Sequence, residues 1–191
     1  MVVGNLDNIR ETLPILLPGQ QEDVMKAESR FAKQDGYGML FTSGTGTGKT
    51  FTGLGIIKRF ELQGKTNTLI VAPSDKIIED WITSGRRLGL GITKLASTSE
   101  SGRGITITTY ANFGDNMTLG DRRWDLVVHD EAHYLMQAED GKVTNALATL
   151  RAITLHPDGV STLASMRNRE LNAKVKGITD KITSLDKIMG L

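Results

Sequence analysis

Ser43-Gly44-Thr45-Gly46-Thr47-Gly48-Lys49-Thr50 is a glycine-rich segment that ends in Gly-Lys-Thr, and further along the chain reads Asp130-Glu131-Ala132-His133. Glycines let a backbone fold tightly around phosphate oxygens, so that several N–H groups converge on the anion at the positive end of a helix dipole. Lys49 can neutralise the β and γ phosphates of a nucleotide, and the Thr50 hydroxyl can ligate Mg²⁺. The strict pattern wants glycine at position 43, where this chain has Ser43, but Gly46, Gly48, Lys49 and Thr50 keep the required spacing. Alone, such a stretch can also be a flexible turn. Two adjacent acids supply a different chemistry: Asp130 can reach a metal ion beside Thr50, and Glu131 can orient or deprotonate an attacking water. Two acids after a strand are also ordinary helix-starting residues.

These residues need elements that bring them together. Strand-like runs at Met39–Thr42, Thr68–Ala72, Ile105–Thr108 and Leu126–His129 alternate with helical patterns, which predicts an α/β fold with a mostly parallel sheet wrapped by helices. Trp124-Asp125-Leu126-Val127-Val128-His129 reads as a short buried strand, which sets Asp130 at a carboxyl end, the edge where open α/β sheets bind ligands. After the glycine loop, Phe51, Leu54, Ile57 and Phe60 recur at helical spacing until Gln63-Gly64. Pro73-Ser74 starts a second helix carrying Ile77, Ile78, Trp81, Ile82 and Leu88 and ending near Gly89, with Trp81 expected to pack inside. Residues 1–150 are read as one nucleotide-binding domain. In residues 151–191, His156-Pro157-Asp158-Gly159 reads as a loop, and Leu171, Val175, Ile178, Ile182, Leu185 and Met189 form one apolar helical seam interrupted by Gly177.

With both motifs in place the chain resembles superfamily 2 helicases and translocases. Ser43 to Thr50 is similar to motif I, where Ala or Ser commonly replaces the first glycine, and Asp130 to His133 is similar to motif II. Leu16-Leu17-Pro18-Gly19-Gln20-Gln21-Glu22-Asp23-Val24 resembles the upstream segment whose glutamine, here Gln20, recognises adenine. Val71-Ala72-Pro73-Ser74 followed by Trp81 resembles motif Ia, and Ile107-Thr108-Thr109-Tyr110 resembles the Thr-Thr-Tyr element near motif Ib. The match runs in order over residues 16 to 136 and looks closest to the Swi/Snf and strawberry-notch-like branch, phage-encoded relatives included.

The resemblance implies a RecA-like, three-layer ATP-binding lobe of the P-loop NTPase type, with ATP and Mg²⁺ as cofactors. It implies catalytic roles for Lys49, Asp130, Glu131 and His133, nucleotide contacts from Gln20, Gly44, Thr45, Gly46, Thr47, Gly48, Lys49 and Thr50, and Mg²⁺ held by Thr50 and Asp130. Ser74, Thr108 and Thr109 become the implied contacts to a nucleic-acid backbone, DNA being preferred to RNA because of the branch. His133 would link the nucleotide site to the nucleic-acid side, or else serve as a simple hydrogen-bonding residue.

Composition sets limits of its own. A chain of 191 residues with 39% hydrophobic and 24% charged residues can bury a core in one domain. No apolar run is long enough to span a membrane, and no basic-then-apolar leader is visible at the start. Cysteine is absent, which excludes disulfides and thiolate metal sites and is compatible with a cytoplasmic setting, that of the host if the chain is phage-encoded. Net charge is only +1, so the overall field makes no case for nucleic acid. Arg86-Arg87, Arg103 and Arg122-Arg123 are further candidate contacts, and His129 is expected to pack at a strand end or face solvent.

A complete motor of this superfamily also has a Ser-Ala-Thr element and a second RecA-like lobe with arginines near the γ-phosphate, and neither is found here. The expectation is therefore a truncated first lobe that binds ATP and, alone, turns over weakly or not at all. Two function classes stay open: a DNA helicase or translocase lobe, and a non-motor nucleotide-binding or interaction module. An RNA helicase lobe is a variant of the first.

Overall fold

The computed structural model describes residues 2–34, 36, 38–42, 48–120, 122–136, 149–150 and 189–190. Its helices are α1 (Leu6–Thr12), α2 (Pro18–Phe31), α3 (Lys49–Leu62), α4 (Asp75–Arg87) and α5 (Tyr110–Asp115). Its strands are β1 (Thr68–Ala72), β2 (Ile92–Lys94), β3 (Ile105–Thr109), β4 (Leu126–His129) and β5 (Met189–Gly190), joined in one sheet in the order β2-β3-β1-β4-β5. Every pairing is parallel. This is the α/β fold with a mostly parallel sheet expected from the alternation of strands and helices, and it has the RecA-like form that the resemblance implies.

The central strand β1 is buried along its whole length, and its side chains divide between two cores as strand alternation requires. Ile70 and Ala72 join Ile107, Val128, Trp81 and the apolar faces of α1 to α4, while Leu69 and Val71 join Val127, Phe113, Leu119 and Trp124 on the opposite face. The sheet is thus the middle of three layers. Gly55 lets α2 approach α3 closely, because a Cβ there would sit 2.7 Å from Leu16 Cδ2 and 3.1 Å from Val24 Cγ2.

One polar cluster crosses this packing. Arg59 of α3 is fully buried and pairs through its Nε with Glu28 Oε1 of α2. Its Nη2 donates to Glu28 Oε2 at 2.9 Å and to the Val2 carbonyl at 3.0 Å, and its Nη1 donates to Asn8 Oδ1 at 2.6 Å. Glu28 also accepts the Gly4 N–H. This fork-to-carboxylate pair satisfies two charges that would otherwise be very costly to bury, and it ties α1 to the helices beneath it.

Several expectations change. Met39–Thr42 is not a strand: the segment makes only a one-residue bridge at Leu40, with Met39 and Phe41 turned inward and Leu40 42% exposed. α1 and β2 were not expected. Each is short, and α1 is held by its Asn5 cap and the Arg59 cluster rather than by a strong periodic pattern. Met189, counted in the apolar seam, lies in β5 beside Val128. The rest of the seam and the loop at His156 to Gly159 lie outside the described residues. Among the described residues no helix is long and apolar enough to cross a membrane.

Candidate functional site

The parallel register puts the motif residues at one edge. Ala72 ends β1 opposite Thr109 at the end of β3, and Val71 lies opposite His129 at the end of β4. Asp130 follows at once, its N–H bonded to the Val71 carbonyl at 2.9 Å, and Ser74 lies two residues beyond β1.

On the nucleotide side, Lys49 and Thr50 are the first two residues of α3, where unpaired N–H groups and the dipole favour an anion. Gly44, Thr45, Gly46 and Thr47 lie outside the described residues. Gly48 leaves the loop in a left-handed conformation, φ 73°, and its carbonyl accepts a 3.2 Å hydrogen bond from Gln20 Nε2. Gln20 is nearly buried, and its Oε1 accepts the Leu17 N–H at 2.9 Å. A Cβ at position 48 would sit 2.2 Å from Gln20 Nε2, so only glycine both adopts the turn and leaves room for the amide. The expected adenine residue is therefore braced directly against Gly48, the last glycine of the glycine-rich segment.

On the acid side, Trp81 of α4 is fully buried, as expected, and its Nε1–H donates to Asp130 Oδ2 at 2.9 Å. Burial raises the Asp130 carboxyl above the ordinary carboxylate range, with the charge of Glu131 adding to this, while the Trp81 bond and the charge of Lys49 oppose it. Lys49 is thus close enough for its charge to be felt at Asp130. The hydroxyl of Thr50 and the carboxylate of Asp130 are hard oxygen donors suited to Mg²⁺, and a cation there would relieve the desolvated charge. Among the described residues no group of three or more His, Asp or Glu is placed to hold a metal.

Glu131 has φ 51°, the one left-handed non-glycine residue among those described. It starts a tight turn whose Tyr134 N–H bonds the Glu131 carbonyl, leading into a 3-10 helix at Ala132–Met136. His133 Nδ1 approaches Glu131 Oε2 at 3.3 Å, with both side chains about half exposed. Behind them runs an aromatic column. Tyr110 stacks on His129 with centroids 5.9 Å apart and on Tyr134 at 5.3 Å, and Tyr134 meets His133 at 4.8 Å. Burial, with the charges of Asp130 and Glu131, raises the Tyr110 phenol. His129 is buried, which decides between its two expected placements. Among the described residues neither ring nitrogen has a hydrogen-bond partner, and desolvation lowers its pKa to about 3.

The polymer-contact candidates separate. Ser74 is exposed and caps α4 by accepting the Ile77 N–H, and Thr109 is half-buried and caps α5 by accepting the Asn112 N–H. Thr108 is only 2% exposed, so its side chain is closed off from a polymer at the surface. Arg122 is committed elsewhere. Its guanidinium lies 3.9 Å over the Trp124 ring and donates to Ser101 and Gly104 carbonyls and to Asn67 Oδ1, stapling the opposite edge of the sheet. Arg87 lies over Phe51. Sequence reasoning missed the parts of Trp81 and Tyr110 in holding Asp130. Trp81 was legible as a core residue, but no local signal shows where its N–H ends.

Comparison with known proteins gives the family and the fold. The family described as type III restriction enzyme, res subunit, matches residues 14–156, and the chain belongs to it. It is a first RecA-like lobe of superfamily 2, from the helicase and ATPase motor class. Among solved structures it is similar to the Sulfolobus solfataricus SWI2/SNF2 ATPase core in complex with dsDNA, with 19% identity and a TM-score of 0.60 over 76% of this chain and 30% of that one. It is also similar to the UvsW helicase from bacteriophage T4, with 12% identity and a TM-score of 0.56 over 98% of this chain and 67% of that one. A nuclease-deletion mutant of the Type ISP restriction-modification enzyme LlaGI, in complex with a DNA substrate mimic, matches at 20% identity with a TM-score of 0.51 over 68% of this chain. The chain spans 30% of the first of these structures and 16% of the last. No curated protein matches it.

Proposed function

We propose that the chain is the ATP-binding lobe of a DNA helicase or translocase that couples Mg-ATP hydrolysis to movement on nucleic acid. The observation that carries this reading is the meeting, at one sheet edge, of the α3 N-terminus bearing Lys49 and Thr50 with Asp130 and Glu131 after β4. Lys49 and the amides at the start of α3 bind phosphate, Gln20 reads adenine beside Gly48, and Thr50 with Asp130 holds Mg²⁺. When bound, that ion neutralises charge developing on the transferred phosphoryl group. Glu131 takes a proton from the attacking water, with His133 at its carboxylate. Ser74 and Thr109 contact the polymer backbone, a mode of binding that positions a strand without reading its sequence.

DNA is preferred to RNA because two of the similar structures contain DNA or a mimic of it. Residues 1–150 form the lobe, and residues 151–191 are an insertion or the start of a further part, of which Met189–Gly190 pair with β4 as β5. A second RecA-like lobe is the partner that completes the catalytic site. The lack of cysteine fits action in the cytoplasm, and the likeness to a bacteriophage T4 helicase fits a phage setting.

The test is Mg²⁺-dependent ATP hydrolysis without polymer, with single- or double-stranded DNA, and with RNA, using Glu131→Gln as the blank. Turnover stimulated by DNA and absent from the blank supports the reading. Turnover stimulated only by RNA moves the track to RNA. ATP binding without turnover under any condition fits a lobe that lacks its second lobe or a nucleotide-binding module, and hydrolysis with the second lobe restored separates the two.

A further inference from the structure

Tyr110 is the first residue of α5, immediately after the capping residue Thr109, and it reaches across the end of β1 to the turn that follows β4. Its hydroxyl donates a 2.7 Å hydrogen bond to the backbone carbonyl of Asp130. That carbonyl belongs to the peptide plane whose nitrogen is Glu131's, so holding it restrains both ψ of Asp130 and φ of Glu131. Glu131 stands at φ 51°, a region that costs a non-glycine residue free energy of the same order as one hydrogen bond contributes. Strain of this kind persists only where surrounding structure over-determines it. Here the ring of Tyr110 is itself fixed, between His129 and Tyr134, and its hydroxyl is the anchor.

We propose that Tyr110 is a positioning residue: its hydroxyl holds the peptide between Asp130 and Glu131 so that the Glu131 carboxylate is aimed for hydrolysis. Through this bond α5 is mechanically tied to the acid pair. Movement of Thr109 on a bound strand is transmitted to Glu131 by a rigid ring one residue away. The proposal rests on the hydrolytic role of Glu131 given above, and Tyr110 acts through the Asp130–Glu131 peptide.

The test is Tyr110→Phe, which keeps the ring stack and removes only the hydroxyl. Four quantities are compared with the parent: thermal melting, affinity for a fluorescent ATP analogue, kcat with and without DNA, and amide hydrogen exchange of residues 129–134. The expected result is unchanged melting, nucleotide affinity within about twofold, kcat down about tenfold, as loss of one hydrogen bond allows, and faster exchange confined to the turn. Stimulation of kcat by DNA falls as well. Unchanged exchange together with unchanged kcat overturns the proposal. So does a parallel loss of melting temperature and affinity, which marks a merely structural residue. If the parent hydrolyses no ATP with any polymer, as a lobe without its second lobe would not, exchange in the turn alone decides: faster exchange in Tyr110→Phe supports the hold, and unchanged exchange overturns it.

Discussion

Trp81 Nε1 donates a 2.9 Å hydrogen bond to Asp130 Oδ2, joining a buried indole in the middle of α4 to the first acid after β4. The bond favours the ionised carboxylate against the burial that opposes it. Trp81→Phe removes the donor and keeps an aromatic ring. A hydrogen bond to a charged group is worth ~1.5–3 kcal/mol, so without it the Asp130 carboxyl is raised further. Metal and proton compete for the same oxygens, so the acid limb of the ATPase pH profile should move to higher pH. An acid limb identical to the parent's would show that Asp130 is not the titrating group.

Gly48 and Gln20 form a second such pair. Gly48→Ala places a methyl group in the left-handed region, at a cost of ~1–2 kcal/mol, and onto the Gln20 amide. Nucleotide affinity should fall about tenfold or more, measured by titration with a fluorescent ATP analogue. Gln20→Ala relieves the clash, so the double variant should bind better than the sum of the two single losses predicts. Strict additivity would show that the two residues do not act as one unit.

The Arg59–Glu28 pair predicts a non-additive stability pattern. Arg59→Met leaves a buried carboxylate without its guanidinium, with an expected loss of ~3–5 kcal/mol in urea unfolding. Arg59→Met combined with Glu28→Leu removes both charges and should recover much of that loss. A double variant less stable than Arg59→Met would mean that α1 and the Asn8, Val2 and Gly4 contacts carry more than the charge pair does.

His129 makes the fold acid-sensitive. Its folded pKa, about 3, lies below the ordinary value of 6.5, so the unfolded chain takes up a proton that the folded chain refuses. This contribution is fully present above pH 6.5 and is lost as pH falls through the window between 6.5 and 3, with a slope of up to ~1.4 kcal/mol per pH unit. His129→Phe should flatten that slope between pH 6.5 and 4.5, where most carboxylates remain ionised. An equal slope in both proteins, from denaturant unfolding at stepped pH, would assign the acid sensitivity to other groups.

Much of the fold was legible because its signals are local. The spacing of Phe51, Leu54 and Ile57 and the Pro73-Ser74 start gave α3 and α4 their bounds within a residue or two. The runs at Thr68, Ile105 and Leu126 are short, β-branched and apolar, and each became a strand. Met39–Thr42 reads the same way but makes only one bridge, because a strand exists only where a neighbour pairs with it, and pairing is not written in the run itself. β2 shows the converse: two of its three residues are exposed, and it persists by pairing with β3.

By itself the sequence determined the chemical inventory: a glycine-rich loop with Lys49 and Thr50, two acids at Asp130 and Glu131, and an alternation that places both at one kind of sheet edge. What only the tertiary structure decided is who holds these groups. Trp81 and Tyr110 are separated from Asp130 by 49 and 20 residues, and Gln20 from Gly48 by 28. They meet because β3, β1 and β4 lie side by side in parallel register, which brings their ends to one level. Hydrogen-bond geometry tolerates errors of only a few tenths of an ångström, whereas periodicity fixes a face but not a partner. The positioning network is therefore set by strand order and helix packing, and neither is encoded in any one segment.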